Sequence, residues 1–213
     1  MRLRHALAVT VVLGAGCALA LRPAELRWGA TDQEAHGSLP GDDLIGEPDL
    51  RATRAITIRA PAARVWPWIA QLGQGRGGFY SYDFLENLAG CEIRSADLIV
   101  PEWQAITAGD QVRLAPQVAL TVAVADPGRC LVLRGGVPIG NVAPPYDFTW
   151  ALVLHPQPDG TTRLLVRERY TYTRPWARLL VEPVELVSFV MTQKMLRGIR
   201  DRAERPDGAH RLP

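Results

Sequence analysis

Lysine is almost absent from this chain. Lys194 is the only one among 213 residues, and arginine supplies the remaining positive charge. Acidic residues nearly balance it, leaving a formal net charge of +2. That is too little to hold a phosphate backbone, and no basic run alternates with aromatics, so nucleic acid is excluded as a partner. Histidine is scarce: His5, His36, His155 and His210 lie far apart, with no metal-ligand spacing. Cys17, Cys91 and Cys130 form no Cys-x-x-Cys pair. Ser81, Ser95 and Ser188 have no base beside them in sequence, which argues against a histidine-driven hydrolase. The glycine run Gly73 to Gly78 has no strand feeding it and no Lys-Ser/Thr after it, so it is no nucleotide loop. No cofactor and no metal is expected, and no internal repeat is visible.

What is present begins with an apolar run from Ala6 to Leu21 behind Arg2 and Arg4, ending in Ala18-Leu19-Ala20. This reads as a signal peptide or membrane anchor over residues 1–21, placing the folded part outside the cytoplasm. Residues 22–50, rich in Gly, Pro, Asp and Glu, read as a linker. Residues 51–205 are expected to form one domain, and 206–213 a loose tail. In an oxidising compartment Cys91 and Cys130 are free to pair, or they are two unrelated buried thiols.

Within the domain, Ala55 to Arg59 alternates and predicts a strand. Pro61 opens a helix to about Leu72, with Pro67 inside it. A short helix is expected over Tyr82 to Leu88. Five strands follow, at Gln111–Leu114, Ala119–Ala125, Cys130–Arg134, Phe148–Leu154 and Thr162–Tyr172. The tight turns Asp126-Pro127-Gly128 and Pro158-Asp159-Gly160 make their neighbours antiparallel. A short helix over Arg174 to Val181 is expected to end at Pro183. A long terminal helix then runs to Glu204, with Val184, Val187, Met191, Met195 and Ile199 as its apolar stripe. The expected class is α+β, a curved antiparallel sheet wrapped around a long C-terminal helix.

The step Ile56-Thr57-Ile58-Arg59-Ala60-Pro61-Ala62-Ala63-Arg64-Val65-Trp66 resembles the first strand and helix of the START/Bet v 1-like (SRPBCC) superfamily, which includes polyketide cyclases/dehydrases and lipid-transport proteins. Gly77-Gly78-Phe79-Tyr80-Ser81-Tyr82-Asp83, Ser95-Ala96-Asp97 and Pro101-Glu102-Trp103 resemble a bacterial branch of it. The resemblance spans about Ala52 to Glu204. It implies a helix-grip fold with a deep hydrophobic cavity, and a lipid, polyketide or similar apolar molecule as partner. Some members catalyse and others carry, and the fold does not decide which.

The ligand-binding candidates are Tyr80, Tyr82, Asp83, Glu86, Asn87, Trp103, Arg167 and Met191. The tyrosines either hydrogen-bond a ligand or pack on the sheet. Trp103 is either a lid or a core plug. On the last strand, Leu164, Val166, Glu168 and Tyr170 share one face, and Leu165, Arg167 and Arg169 the other. A charge facing the cavity needs a partner, which for Arg167 would be Asp83 or Glu86; alternatively both arginines face water. If the protein is an enzyme, Asp83 or Glu86 is the expected catalytic carboxyl, acting as a cyclase or dehydratase on a polyketide-like substrate.

Overall fold

The computed structural model describes residues 22–138 and 142–206. The expected signal or anchor and most of the tail lie outside them.

Six strands form one antiparallel sheet in the order β1-β6-β5-β4-β3-β2. They are β1 (Leu50–Ile58), β2 (Gln111–Ala115), β3 (Val118–Asp126), β4 (Cys130–Gly135), β5 (Tyr146–Pro156) and β6 (Thr162–Tyr172). Shifts of register between Arg113 and Ala115 and between Val122 and Val124 mark bulges, which bend a sheet. Among the helices that accompany it are α1 (Asp32–His36), α2 (Ala62–Ala70), α3 (Asp83–Leu88) and α4 (Ala177–Ala203), and residues 22–26 are helical as well. α4 packs against β1, β6 and α2 across the inner face of the sheet. This is the helix-grip arrangement expected from the sequence.

Side-chain alternation sorts the two faces of the sheet. Ile56, Ile58, Leu131, Leu133, Leu152, Leu154, Leu164 and Val166 point inward, joining Trp68 and Ile69 of α2 and Leu196 and Ile199 of α4 in the main core. Ala55, Cys130, Val132, Ala151, Val153 and Leu165 point outward and form a second cluster with Leu39. Cys91 packs against the first cluster and Cys130 lies in the second; both are free thiols.

The structure departs from expectation in three places. Residues 22–50 are no free linker. Their start packs against α4 and Arg54, and the rest wraps the outer face, where Leu39 supplies apolar cover and Arg163 and Arg167 bind α1. Pro183 does not divide the last helix, since α4 is continuous through it. The proline sits on the exposed side, where a carbonyl left without its N–H can be solvated.

The third departure is the apolar stripe. Val184 and Val187 are exposed, while Met195 and Ile199 are buried. Steps of four residues advance about 40° beyond a full turn. A stripe through Val187, Met191, Met195 and Ile199 therefore spirals from the outside of α4 to its core face. Gly198 permits the tight seat of the buried half: a Cβ there would lie 2.3 Å from the Tyr80 carbonyl oxygen.

Candidate functional site

Between the sheet and the middle of α4 lies a cavity of about 260 Å³. Phe79, Leu114, Phe148, Trp150, Tyr170 and Met195 make most of its wall. The Phe148 and Tyr170 ring centroids are 4.6 Å apart, and those of Phe79 and Trp150 are 6.0 Å apart. Val137 and Val184 line the cavity and are also exposed, which places them at its mouth.

The polar groups are few and concentrated. Glu168, only 3% exposed, lines the cavity among apolar neighbours. It sits in β6 opposite Ala52 of β1 and Trp150 of β5. Ser188 Oγ donates to both of its oxygens, at 2.8 and 2.9 Å, and Thr192 Oγ1 donates at 3.3 Å. Ser188 and Thr192 share a face because they are four residues apart on α4. Behind Glu168 lies Arg54, 1% exposed, with Nη1 at 3.7 Å. Arg54 also ion-pairs with the fully buried Glu185, which in turn pairs with Arg22 at 3.0 Å. Arg54 Nε donates to the Glu25 carbonyl at 3.2 Å.

This cluster gathers the carboxyls of Glu25, Glu168 and Glu185 around the guanidiniums of Arg22 and Arg54. Burial pushes the Glu168 carboxyl up, against the opposing pull of Arg54 and Ser188. Burial and a hydrogen bond shared with Glu25 push Glu185 up as well. Glu168 is thus a cavity-facing carboxyl poised to hold a proton.

A second carboxyl enters from α3. Burial, and then the nearby charge of Asp83, raise Glu86 to about 7. Its Oε2 is buried and has no hydrogen-bond partner. The indole N–H of Trp150 is likewise buried without a partner. An unpartnered donor and an unpartnered acceptor among the lining residues leave places a ligand can fill.

The titration of Glu86 has a measurable consequence. The folded protein holds its proton between about pH 4.5 and about pH 7, where the unfolded chain has released it. Stability from this group is therefore full below the unfolded value and lost as pH rises through the folded one. Glu86 is only half-buried, so solvent screening limits the loss to about 1–2 kcal/mol. Urea unfolding of wild type and Glu86→Gln across that window should show the extra slope in wild type alone. Parallel curves would mean that Glu86 is solvated and already ionised.

Of the residues singled out from the sequence, the cavity takes Glu86 and Met191. Tyr80 lies in the core: its hydroxyl donates to the Trp68 carbonyl at 3.1 Å, and Arg202 covers its ring at 4.7 Å. It adopts φ 55° in the turn after the glycine run, so its neighbours Phe79 and Ser81 reach the cavity while it does not. Tyr82 is exposed beneath Lys194. Asp83 is committed to Ser95, accepting from its backbone N–H at 2.7 Å and its hydroxyl at 2.6 Å. Asn87 pins Ile93 through two hydrogen bonds. Trp103 sits in a single helical turn, Pro101–Trp103, away from the cavity, its carbonyl accepting from Arg76 at 2.6 Å.

Arg167 pairs with neither Asp83 nor Glu86, because it points to the other face of the sheet. Asp42 accepts from it at 2.5 Å, and the carbonyls of Glu34, Ala35 and Gly37 accept from it as well. Sequence reasoning missed the Arg54–Glu168–Ser188–Thr192 group. The signal was available: alternation already set Glu168 beside Leu164, Val166 and Tyr170, a charge on an apolar face.

Fold and cavity together define a helix-grip protein with an internal apolar chamber. No protein-family model matches the sequence, and no curated protein matches it significantly. Solved structures do. One is the Zhui aromatase/cyclase of a Streptomyces species, with 16% identity and TM-score 0.44, covering 75% of this chain and 98% of that one. Another is a hypothetical protein of Helicobacter pylori, with 11% identity and TM-score 0.47, covering 78% and 95%. A third is a protein of Nitrosospira multiformis, with 15% identity and TM-score 0.45, covering 76% and 100%. What this site does is read from its own residues.

Proposed function

We propose that the cavity binds a compact apolar molecule carrying a polar end, such as a hydroxyl, carbonyl or carboxyl group. The observation that carries this reading is an aromatic chamber whose polar wall holds one buried carboxyl, organised by Ser188, Thr192 and Arg54. Apolar cavities of ~150 Å³ already admit benzene, so 260 Å³ suits roughly two rings or an equivalent chain. Burial of the ligand's apolar surface drives binding, at ~25 cal/mol per Å² before ordering costs. The polar end fixes orientation against Glu168, with the Trp150 N–H and Glu86 as further partners.

A second reading is a cofactor-independent cyclase or dehydratase. It is favoured by one specific observation: two carboxyls with raised proton affinity, Glu86 and Glu168, line the same apolar chamber. Either serves as a general acid when protonated and as a base once ionised. Asp83, tied to Ser95, is the weaker candidate.

The test uses an uncharged naphthalene dye as the probe and the full chain as the protein. Wild type should enhance the dye's emission saturably, and Met191→Trp, which fills the cavity, should weaken binding by about tenfold or more. Equal enhancement by both would place the dye outside the cavity and overturn the binding reading. Native mass spectrometry of protein from its own host then identifies any resident molecule. With that molecule or its precursor in hand, Glu168→Gln separates the readings: a carrier loses affinity, an enzyme loses turnover.

A further inference from the structure

We propose that the outer side of the first half of α4, together with the cavity mouth, docks against a lipid bilayer. Leu179, Pro183, Leu186, Val190 and Lys194 recur at i, i+4, i+7, i+11 and i+15, with Trp176 and Val187 alongside. Leu179 is 81% exposed and Val187 62%. The opposite side of the same segment buries Val181, Glu185 and Thr192. A row of apolar side chains along one side of a helix is normally turned toward the core, yet this row is turned away from it. Contiguous exposed apolar surface of this kind marks a contact with membrane or protein.

Three further observations choose a bilayer. The first is where the remaining chain leaves the domain. Arg22, the first described residue, is ion-paired to Glu182 and Glu185 of α4. The described chain therefore begins against the flank of α4 that carries Glu182, between the exposed row and the buried side. The second is charge. Glu182 and Glu185 are the only acidic residues of α4 before Lys194. Glu182 is paired with Arg22 and Arg178, and Glu185 with Arg22 and Arg54. No unpaired carboxylate of this half helix is left to repel anionic headgroups, and Lys194 ends the apolar row as a cation. The third is continuity. Val184 belongs both to the exposed apolar surface and to the cavity lining, as does Val137 across the mouth. Phe84 and Leu88 of α3 add exposed apolar area, and Tyr82, just before α3, lies beneath Lys194. A molecule passing the mouth would thus move between the chamber and the acyl region without crossing open water. Among the described residues no helix is long and apolar enough to span a bilayer, so the contact is interfacial.

Trp176, half-exposed at the start of α4, is a built-in reporter. The experiment mixes the full chain with phosphatidylcholine–phosphatidylglycerol vesicles bearing brominated acyl chains, and repeats this with Trp176→Phe. The share of emission present only in wild type should be quenched about twofold or more. Leu179→Asp with Val187→Asp should abolish that quenching while leaving the far- and near-UV circular dichroism unchanged. Three results overturn the proposal. Co-sedimentation with vesicles without quenching of the Trp176 share would mean that residues 6–21 tether the chain while α4 stays in water. A blue-shifted, unquenched Trp176 share would mean that residues 6–21 fold back over α4. A dimer in sedimentation velocity that the double variant dissociates, again without quenching, would mean that a second copy covers the patch. None of these readouts needs an occupied cavity, so the cavity-binding reading stands or falls separately.

Discussion

Arg54→Met should lower stability by about 3–5 kcal/mol, the usual cost of removing one partner from a buried charge group. The methionine matches the arginine stem in bulk, so the loss comes from charge and hydrogen bonding and not from a void. Arg54 is the only cation within 4 Å of the Glu168 carboxyl among the described residues. It is also one of two that hold Glu185. Without it both buried carboxyls lose the interaction that favours their ionised forms, and their proton affinities rise further.

The sign of the pH effect follows. The folded variant holds protons that the unfolded chain releases, so its stability falls more steeply than that of wild type as pH rises above the ordinary glutamate range. The deficit should be smallest near pH 5 and largest near pH 8 in paired urea titrations. Adding Glu168→Gln should recover part of it at the higher pH, because the amide can still accept from Ser188 without a charge. A deficit below ~1 kcal/mol that does not vary with pH would show that water reaches the cluster, and the reading of Glu168 as a poised cavity acid would fall with it.

Much of the fold could be read from the sequence because its signals are local. Period-two apolar runs and Asp-Pro-Gly or Pro-Asp-Gly turns mark β2 to β6 within a residue or two of where they lie, whereas β1 begins five residues before the run expected at Ala55. Alternation in β6 even separates Glu168 from Arg167. The partner of each charge was not legible, because partners come from distant elements. Arg54 sits more than 110 residues before Glu168 and meets it only because β1 pairs with β6 in the register Ala52↔Glu168. The Gly73–Gly78 block misled for a physical reason. Glycines at φ 126°, 73° and 69° do mark a sharp bend, but Gln74 donates to the Arg113 carbonyl and seats that bend beside β2. Only Phe79, Ser81 and Glu86 reach from this region into the chamber.

The second large effect concerns the segment that looked like a linker. Residues 22–50 have no period to betray packing, because they are held mainly by polar contacts from the sheet's outer face. Arg167 is fully buried and makes the densest set: Thr53 Oγ1 accepts from Nε at 2.9 Å, Asp42 accepts at 2.5 Å, and three carbonyls of residues 34–37 accept from the two terminal nitrogens. Arg167→Met would strand the Asp42 carboxylate, apart from its pairing with Arg169 at 3.0 Å, and leave those carbonyls without a donor. The expected cost is about 3–4 kcal/mol, and much of it should appear as local release of the wrap. Limited proteolysis should then cut within residues 37–49 of the variant well before the strands are cleaved. Wild type should be cut there no faster than elsewhere. The naphthalene dye should still bind, because Arg167 faces away from the chamber. Two buried arginines on adjacent strands would thus separate cleanly. Losing Arg54 disturbs the cavity acid, whereas losing Arg167 frees the outer wrap and spares the cavity. Loss of dye binding in Arg167→Met at a temperature where the sheet remains folded would show that the wrap supports the chamber through the sheet, and the two faces could no longer be treated as independent.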